Sequence, residues 1–442
     1  MQRCEMGNIT LFDLNKSLFE RIVSKENLAE AFRAVRRNKG APGIDGVTVK
    51  EFETRLDEEL GQLRKDLMDW SYEPKPVRRV EIPKPGNAGV RLLGVPCIRD
   101  RVLHTSIKAV LEPIFEAKFS EHSYGFRPGR SQRQAVEAAQ QIVSAGKEYC
   151  VDIDLSKFFD RVQHDRLIHR LSLEIPDKRV LRLIGMTLRS GVMIEGVRVA
   201  TEEGTTQGSP LSPLLSNVVL DELDKELEKR GLEFCRFADD ANIFVKTEKA
   251  AKRVMESVTK YIEKTLKLVV NQDKSKVAQS KFVKFLGMTI VAGTIAISVQ
   301  SMNRAMTKVK DLTPRGTNQS IEQTMTAINS WYVGWSNYYG MTQYPSQLAA
   351  IEAHVRRRLR SRIVAQQKRR RHLVEKLSER GVPRGQARKT VYSNRGRWNL
   401  SHTRAVEKAY PNHWFIETVG QKVTSNKKLP HWFDVKTWIK LT

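Results

Sequence analysis

Cys235-Arg236-Phe237-Ala238-Asp239-Asp240-Ala241-Asn242-Ile243-Phe244-Val245 sets two adjacent carboxylates between two apolar runs. Phe234 to Phe237 reads as the end of one strand and Ile243 to Val245 as a returning strand. Ala238, Asp239 and Asp240 then form the tip of a β-hairpin, where Asp is a favoured turn residue. By itself an Asp-Asp pair at a bend implies only a solvated turn. A second acidic segment upstream changes its meaning.

That segment is Val151-Asp152-Ile153-Asp154-Leu155-Ser156-Lys157-Phe158-Phe159-Asp160. Val151, Ile153 and Leu155 alternate with Asp152 and Asp154, so a strand here has one apolar and one acidic face. Carboxylates on a half-buried strand are costly unless they pair or bind cations. Two such oxygen-rich segments, brought together, suit two Mg²⁺ ions roughly 4 Å apart, the arrangement used for in-line phosphoryl transfer. Mn²⁺ is an expected substitute.

The 442 residues carry a formal net charge of +26, which predicts a polyanionic partner bound with steep salt dependence. A chain of this length supports several domains. No apolar run approaches the ~18 residues of a membrane span, and the N-terminus has no apolar signal core, so no membrane partner and a cytoplasmic location, in bacterial cytosol or nucleoid, are expected. Cys4, Cys97, Cys150 and Cys235 are far apart, which supports neither a zinc knuckle nor a disulfide framework.

The spacing of Asp154-Leu155-Ser156-Lys157-Phe158-Phe159-Asp160, with Phe237-Ala238-Asp239-Asp240 far downstream, resembles the palm of a reverse transcriptase. The surrounding motifs narrow the resemblance to the reverse transcriptase/maturase proteins of group II introns, of the compact type without an endonuclease domain. They are Asn38 to Thr48, Arg78 to Pro96, Ser123-Tyr124-Gly125-Phe126-Arg127-Pro128-Gly129-Arg130-Ser131, Thr206 to Asn217, Phe285-Leu286-Gly287 and Gly334 to Tyr339, in that order.

The resemblance implies an α+β right-hand polymerase of fingers and palm, an all-α thumb and a small basic C-terminal domain. The expected divisions are 1–75 (N-terminal extension and template-covering loop), 76–300 (fingers and palm), 301–372 (thumb, or maturase X domain) and 373–442 (basic nucleic-acid-binding domain). Asp154, Asp239 and Asp240 are the expected catalytic residues and metal ligands, with the backbone of Ile153 or Leu155 as a further donor. Phe237 stands where the family usually has Tyr, which removes a hydroxyl near the primer terminus. The expected activity is RNA-directed DNA synthesis from dNTPs on a DNA primer, with an RNA template, together with binding of the parent intron RNA to assist splicing and mobility. Two alternatives stay open: a domesticated enzyme of DNA repair or defence, and a splicing cofactor with little polymerase activity.

The remaining candidates follow the chain. Residues 8–38 read as helical. A hairpin from Ile82 to Val90 carries Lys84 and Arg91 on opposite arms, a pair of cations suited to a triphosphate. Arg127 and Arg130 are expected on template phosphate. Phe159 is either a core aromatic or a ring that packs under the sugar and refuses a 2′-hydroxyl. Gln207 and Gly208 stand in a loop before a helix and, by the resemblance, floor the nucleotide pocket. Lys274 is either an exposed lysine or one near the triphosphate. Trp331, Trp335 and Tyr339 share one helical face, as core or as base-stacking platform. Arg356, Arg357, Arg358, Arg360, Arg362, Lys368, Arg369, Arg370 and Arg371 form a solvated face or a phosphate-tracking surface.

Overall fold

Ser24 breaks the helix expected over 8–38. Its hydroxyl accepts from the Asn27 N–H at 3.3 Å and caps Lys25–Arg37, while a separate short helix, Leu18–Ile22, is capped by Ser17. The structure is a computed structural model that describes residues 17–83, 89–194, 197–199, 203–314 and 316–415. The chain divides into two compact units, one of residues up to 138 together with 146–278, the other of 139–145 together with 279 onwards. Among the described residues no helix is long and apolar enough to cross a membrane.

The first unit holds two four-stranded sheets. Its strands are β1 (Val77–Pro83), β2 (Val90–Val95), β3 (Tyr149–Ile153), β4 (Val192–Ile194), β5 (Val197–Val199), β6 (Glu233–Phe237), β7 (Asp240–Val245) and β8 (Lys276–Gln279). One sheet runs β2-β1-β4-β5 and contains the expected hairpin, with Ile82 opposite Arg91 and Pro83 opposite Val90. The other runs β6-β7-β3-β8. In it β7 pairs antiparallel with both β6 and β3, so the two acidic segments lie side by side. Val151, Ile153 and Leu155 point into one core with Phe234 and Ile243 from the neighbouring strands. Helices Ile98–Glu116 and Ser212–Lys229 feed the same core with Val102, Ile107, Leu215 and Leu220.

In the second unit β9 (Met288–Val291) and β10 (Thr294–Ile297) make a two-stranded sheet. Helices Val299–Leu312, Ile321–Tyr339 and Pro345–Gln366 follow, then four shorter helices from Arg370 to Ala409. Tyr332 is fully buried and donates to Glu352 at 2.9 Å. Trp331 and Trp335 pack on the same core, and Trp335 stacks on Tyr339 with ring centres 4.8 Å apart. Trp331, Trp335 and Tyr339 are each half-buried, with the two tryptophans packed against the core. Val309, Tyr332 and Val355 share that one core with Leu377, Val391, Tyr410 and Phe415, so the packing is continuous across the boundary expected at 372/373. Trp432 and Trp438 lie outside the described residues.

Candidate active site

β6 and β7 pair as far as Phe237 opposite Asp240, which leaves Ala238 and Asp239 as a two-residue turn. Ala238 has φ = 57°, a left-handed backbone at the position where a two-residue hairpin usually places Gly. On the other side of β7, Ile153 pairs with Ala241, so the next residue, Asp154, comes level with the turn. The Asp154 backbone is tied at both ends. Its N–H donates to the Ser275 hydroxyl at 3.0 Å and its carbonyl accepts from the Asn271 N–H at 2.8 Å. That segment brings the Lys274 ammonium to 3.6 Å from the Asp154 carboxylate.

Burial and the neighbouring charge of Asp154 lift the Asp239 carboxyl above its ordinary range, while the charges of Arg91 and Lys274 pull it back. Asp240 opens β7 and is exposed. Among the described residues no three His, Cys, Asp or Glu side chains cage a metal unaided. The donor set nonetheless suits Mg²⁺, which is commonly held by one or two carboxylates plus substrate phosphates. Asp239, half-buried beside the charge of Asp154, is a carboxylate whose ionised form a divalent cation would favour.

In the same unit an open cleft of about 550 Å³ is lined by Arg79, Leu92, Lys157, Phe159, Thr206 and Gln207. Phe159 is half-buried on a short 3₁₀ turn, with its ring edge-on to the buried Phe158 at 5.3 Å. Gln207 is fixed through its carbonyl, which accepts from the Gly94 N–H at 2.9 Å. Gly208, at φ = 127°, lies so close to the Gly94 carbonyl that a Cβ would stand 2.4 Å from it. Arg91 is exposed on β2 within electrostatic reach of Asp239. Lys84 lies outside the described residues.

Three loops around the site hang on one helix, Ile98–Glu116. Arg101 donates to the Pro96 carbonyl at 2.8 Å and to the carbonyl of Ala41, anchoring the Gly-rich loop before Val49–Thr54. His104, taken down to about 3 by burial and so neutral, hydrogen-bonds the Ser209 hydroxyl through Nδ1 at 2.9 Å. Asp100 accepts from the Tyr72 hydroxyl at 2.6 Å, and burial raises it to about 6.

A buried ionic network beneath the turn was not foreseen from the sequence. Arg236 is 1% exposed and Asp224 0%. The guanidinium donates to both Asp224 oxygens, from Nε at 2.7 Å and from a terminal nitrogen at 2.6 Å. It also donates to Asn217 at 3.1 Å, to the Ser123 hydroxyl at 2.7 Å and to the Ala238 carbonyl at 2.9 Å. Burial pushes the Asp224 carboxyl up and Arg236 opposes it. Gly125 closes on the turn from outside: a Cβ there would lie 2.2 Å from the Ala238 nitrogen. The only sequence signal was an Arg set between the apolar Cys235 and Phe237 of β6.

Comparison with known proteins gives two family matches. Residues 82–290 match "Reverse transcriptase (RNA-dependent DNA polymerase)", and residues 302–378 match "Group II intron, maturase-specific domain". Protein YkfC of Escherichia coli (strain K12) is 35% identical over 300 residues, covering 59% of this chain and 78% of that protein. The chain belongs to the group II intron-encoded reverse transcriptase/maturase family. It is an enzyme of the reverse transcriptase class, a nucleotidyltransferase. The group II intron-encoded protein LtrA of Lactococcus lactis subsp. cremoris is 33% identical over 206 residues, covering 47% of this chain but only 34% of LtrA. A chain of a solved partial Cas6-RT-Cas1–Cas2 complex is 27% identical and covers 57% of this chain and 44% of its own, at a TM-score of 0.38.

The arginines expected on nucleic acid fare differently in this family member. Arg127 is 7% exposed and is not placed for template phosphate. Its guanidinium donates to the Glu116 carboxylate at 2.8 Å and to the Ser120 and Ser123 carbonyls, so it pins the loop. Arg130 is half-buried on Glu121 and over the Tyr124 ring. Arg360 is likewise buried, donating to the Tyr410 carbonyl at 2.8 Å and to Asn412 at 2.9 Å. Arg356 faces the buried Glu352 at 3.9 Å, and Arg357 lies 3.9 Å over the Trp398 ring. Arg360 has no solvent face to occupy, because residues 359–365 of this helix are buried all round. Arg369 and Arg370 are exposed in a run with Lys368 and Arg371. Phe237 is half-buried at the end of β6, next to the turn.

Proposed function

We propose that this chain copies RNA into DNA by adding dNTPs to a primer 3′ end, with Asp154, Asp239 and Asp240 as the ligands of two Mg²⁺ ions. The observation that carries this reading is the β3–β7 register, which sets Asp154 beside the Asp239-Asp240 turn with two cations, Lys274 and Arg91, acting on the same centre. In the reaction the primer 3′-oxygen attacks the α-phosphorus, loses its proton, and the bond to pyrophosphate breaks. Bound Mg²⁺ supplies positive charge to the attacking oxygen and the leaving group. The carboxylates hold and orient that charge. Arg91 and Lys274 neutralise triphosphate oxygens. Phe159, on the wall of the cleft with Gln207, is set to crowd a 2′-hydroxyl.

On this reading the first unit supplies fingers and palm, and the helices after β10 supply the thumb. The match over 302–378 and the exposed cations at 368–371 support binding of group II intron RNA by the second unit. Primer extension on an RNA template with Mg²⁺ tests the polymerase. Wild type should extend with dNTPs and refuse rNTPs, and Asp239→Ala should lose at least 10³-fold in rate, an effect on the scale of ~4 kcal/mol. An Asp239→Ala protein that extends normally would end the reading. Asp239→Ala should still bind intron RNA, since no carboxylate is needed for that.

A further inference from the structure

We propose that the buried Arg236–Asp224 pair, through the Ala238 carbonyl, is the device that positions the metal-binding turn. The proposal rests on the polymerase reading above and adds positioning residues to it.

A guanidinium has five N–H donors in a rigid plane. In Arg236 they meet Asp224 twice, Asn217, Ser123 and Ala238, so the plane can neither rotate nor shift without breaking a bond. The Ala238 carbonyl belongs to the peptide that leads directly into Asp239. Holding that oxygen at 2.9 Å fixes the peptide plane, and with it the direction in which the Asp239 side chain leaves the backbone. Gly125 blocks the opposite movement, because its Cα side stands against the Ala238 nitrogen. Asn217 joins the two walls, since it accepts from Arg236 and donates to the Gly125 carbonyl at 2.9 Å.

Fold stability alone does not explain this arrangement. A two-residue turn closes without side-chain help, and a buried ion pair commonly stabilises no better than apolar residues of similar volume. What the pair adds is fixed geometry in a place that water cannot reach. The strained φ of Ala238 is consistent with a turn held by its surroundings rather than by its own preference. Asp224 then has two effects: it neutralises a charge that otherwise could not be buried, and it fixes the rotation of the guanidinium. A lysine at 236 would keep the charge but, as a point donor on a flexible stem, would lose the fixed plane.

The test uses the full-length protein and Mn²⁺ as the probe, with binding followed by electron paramagnetic resonance in the absence of nucleotide. Wild type and Arg236→Lys are compared, with Tyr332→Phe as a control that deletes a buried hydrogen bond in the other unit. In Arg236→Lys, Mn²⁺ affinity should fall about 10-fold and kcat 10- to 100-fold, the range seen when partners of metal ligands are removed. Template–primer affinity and the KM for dNTP should stay within about twofold, a difference of ~0.4 kcal/mol. Tyr332→Phe should lower the unfolding temperature and leave Mn²⁺ affinity unchanged. Unchanged Mn²⁺ affinity and kcat in a folded Arg236→Lys, with only the unfolding temperature reduced, would overturn the proposal.

Asn217→Ala, which removes a neutral side chain, carries the same test should Arg236→Lys not fold. Mn²⁺ binding weakened about threefold, or ~0.7 kcal/mol, supports positioning, and unaltered binding refutes it. Failure of the underlying reading looks different: the wild type itself would show no Mn²⁺ binding that Asp239→Ala abolishes.

Discussion

Arg236 in the first unit and Arg362 in the second are both 1% exposed, and they are buried on different terms. Under the Ala238–Asp239 turn, Arg236 meets a fully buried carboxylate, and every N–H of its guanidinium has a partner. In the helix Pro345–Gln366, Arg362 is 1% exposed and donates to the Thr324 hydroxyl and the Gln319 carbonyl, with no carboxylate among these partners, while its Nε has none among the described residues. Burial pushes the guanidiniums of Arg360 and Arg362 down, and no charge-pairing with the last opposes it. The first region holds a plane in register. The second fastens one helix to neutral oxygens on and beside its neighbours. Between these two, the paired charge goes with a fixed plane and the neutral acceptors with attachment alone.

The comparison is most easily broken at Asp224. Asp224→Ala leaves Arg236 buried without its counter-charge and should cost about 3–5 kcal/mol in urea denaturation. Arg362→Met, which removes a charge and leaves two neutral acceptors, should cost nearer ~1 kcal/mol. Equal losses would erase the distinction.

A pH effect comes next in size. The folded Asp100 carboxyl lies at about 6, above its ordinary 3.8, so the folded state keeps its proton to higher pH than the unfolded chain. This contribution is fully present below about pH 4 and is lost as pH rises through 6, to a total of about 3 kcal/mol. Asp100→Asn should flatten that slope between pH 4 and 7, measured as the difference in unfolding free energy from wild type.

Gly125→Ala places a methyl 2.2 Å from the Ala238 nitrogen, and backbone must yield. Destabilisation of about 1–3 kcal/mol is expected, with primer extension falling further than stability accounts for. The smallest effect on folding belongs to Arg369→Ala/Arg370→Ala. These exposed residues should change stability by less than ~0.5 kcal/mol, yet reduce the slope of log affinity for RNA against log salt by about 1.4 to 1.8. Arg360→Ala should behave in the opposite way, losing stability with little change in the salt slope.

Much of the first unit was legible because its signals are local. The alternation of Val151, Ile153 and Leu155 with acids gives a half-buried strand, and Ile82 to Val90 gives the observed hairpin. The pairing of Asp154 with the turn was reached only through family resemblance, since register between strands some ninety residues apart has no local signature. The arginines show where composition misleads. Arg127 and Arg360 look like surface charge in sequence, and nothing near them says that carbonyl oxygens wait in the interior. The split at Ser24 was readable in principle, for a Ser ahead of Lys25-Glu26-Asn27 is an N-cap pattern, but the apolar period across it is unbroken.

The order of strands in the β6-β7-β3-β8 sheet bears on how the protein is made. β3 leaves the ribosome first and sits between β7 and β8 in the finished sheet. The hydroxyl that caps Asp154 belongs to a residue 121 positions later. At roughly 5–20 residues per second, β3 waits some 6 to 24 s for its last partner. During that interval a strand with one apolar face and both edges open is exposed to mispairing. Synthesis that slows after β3 lengthens this exposure, whereas slowing after β8 does not.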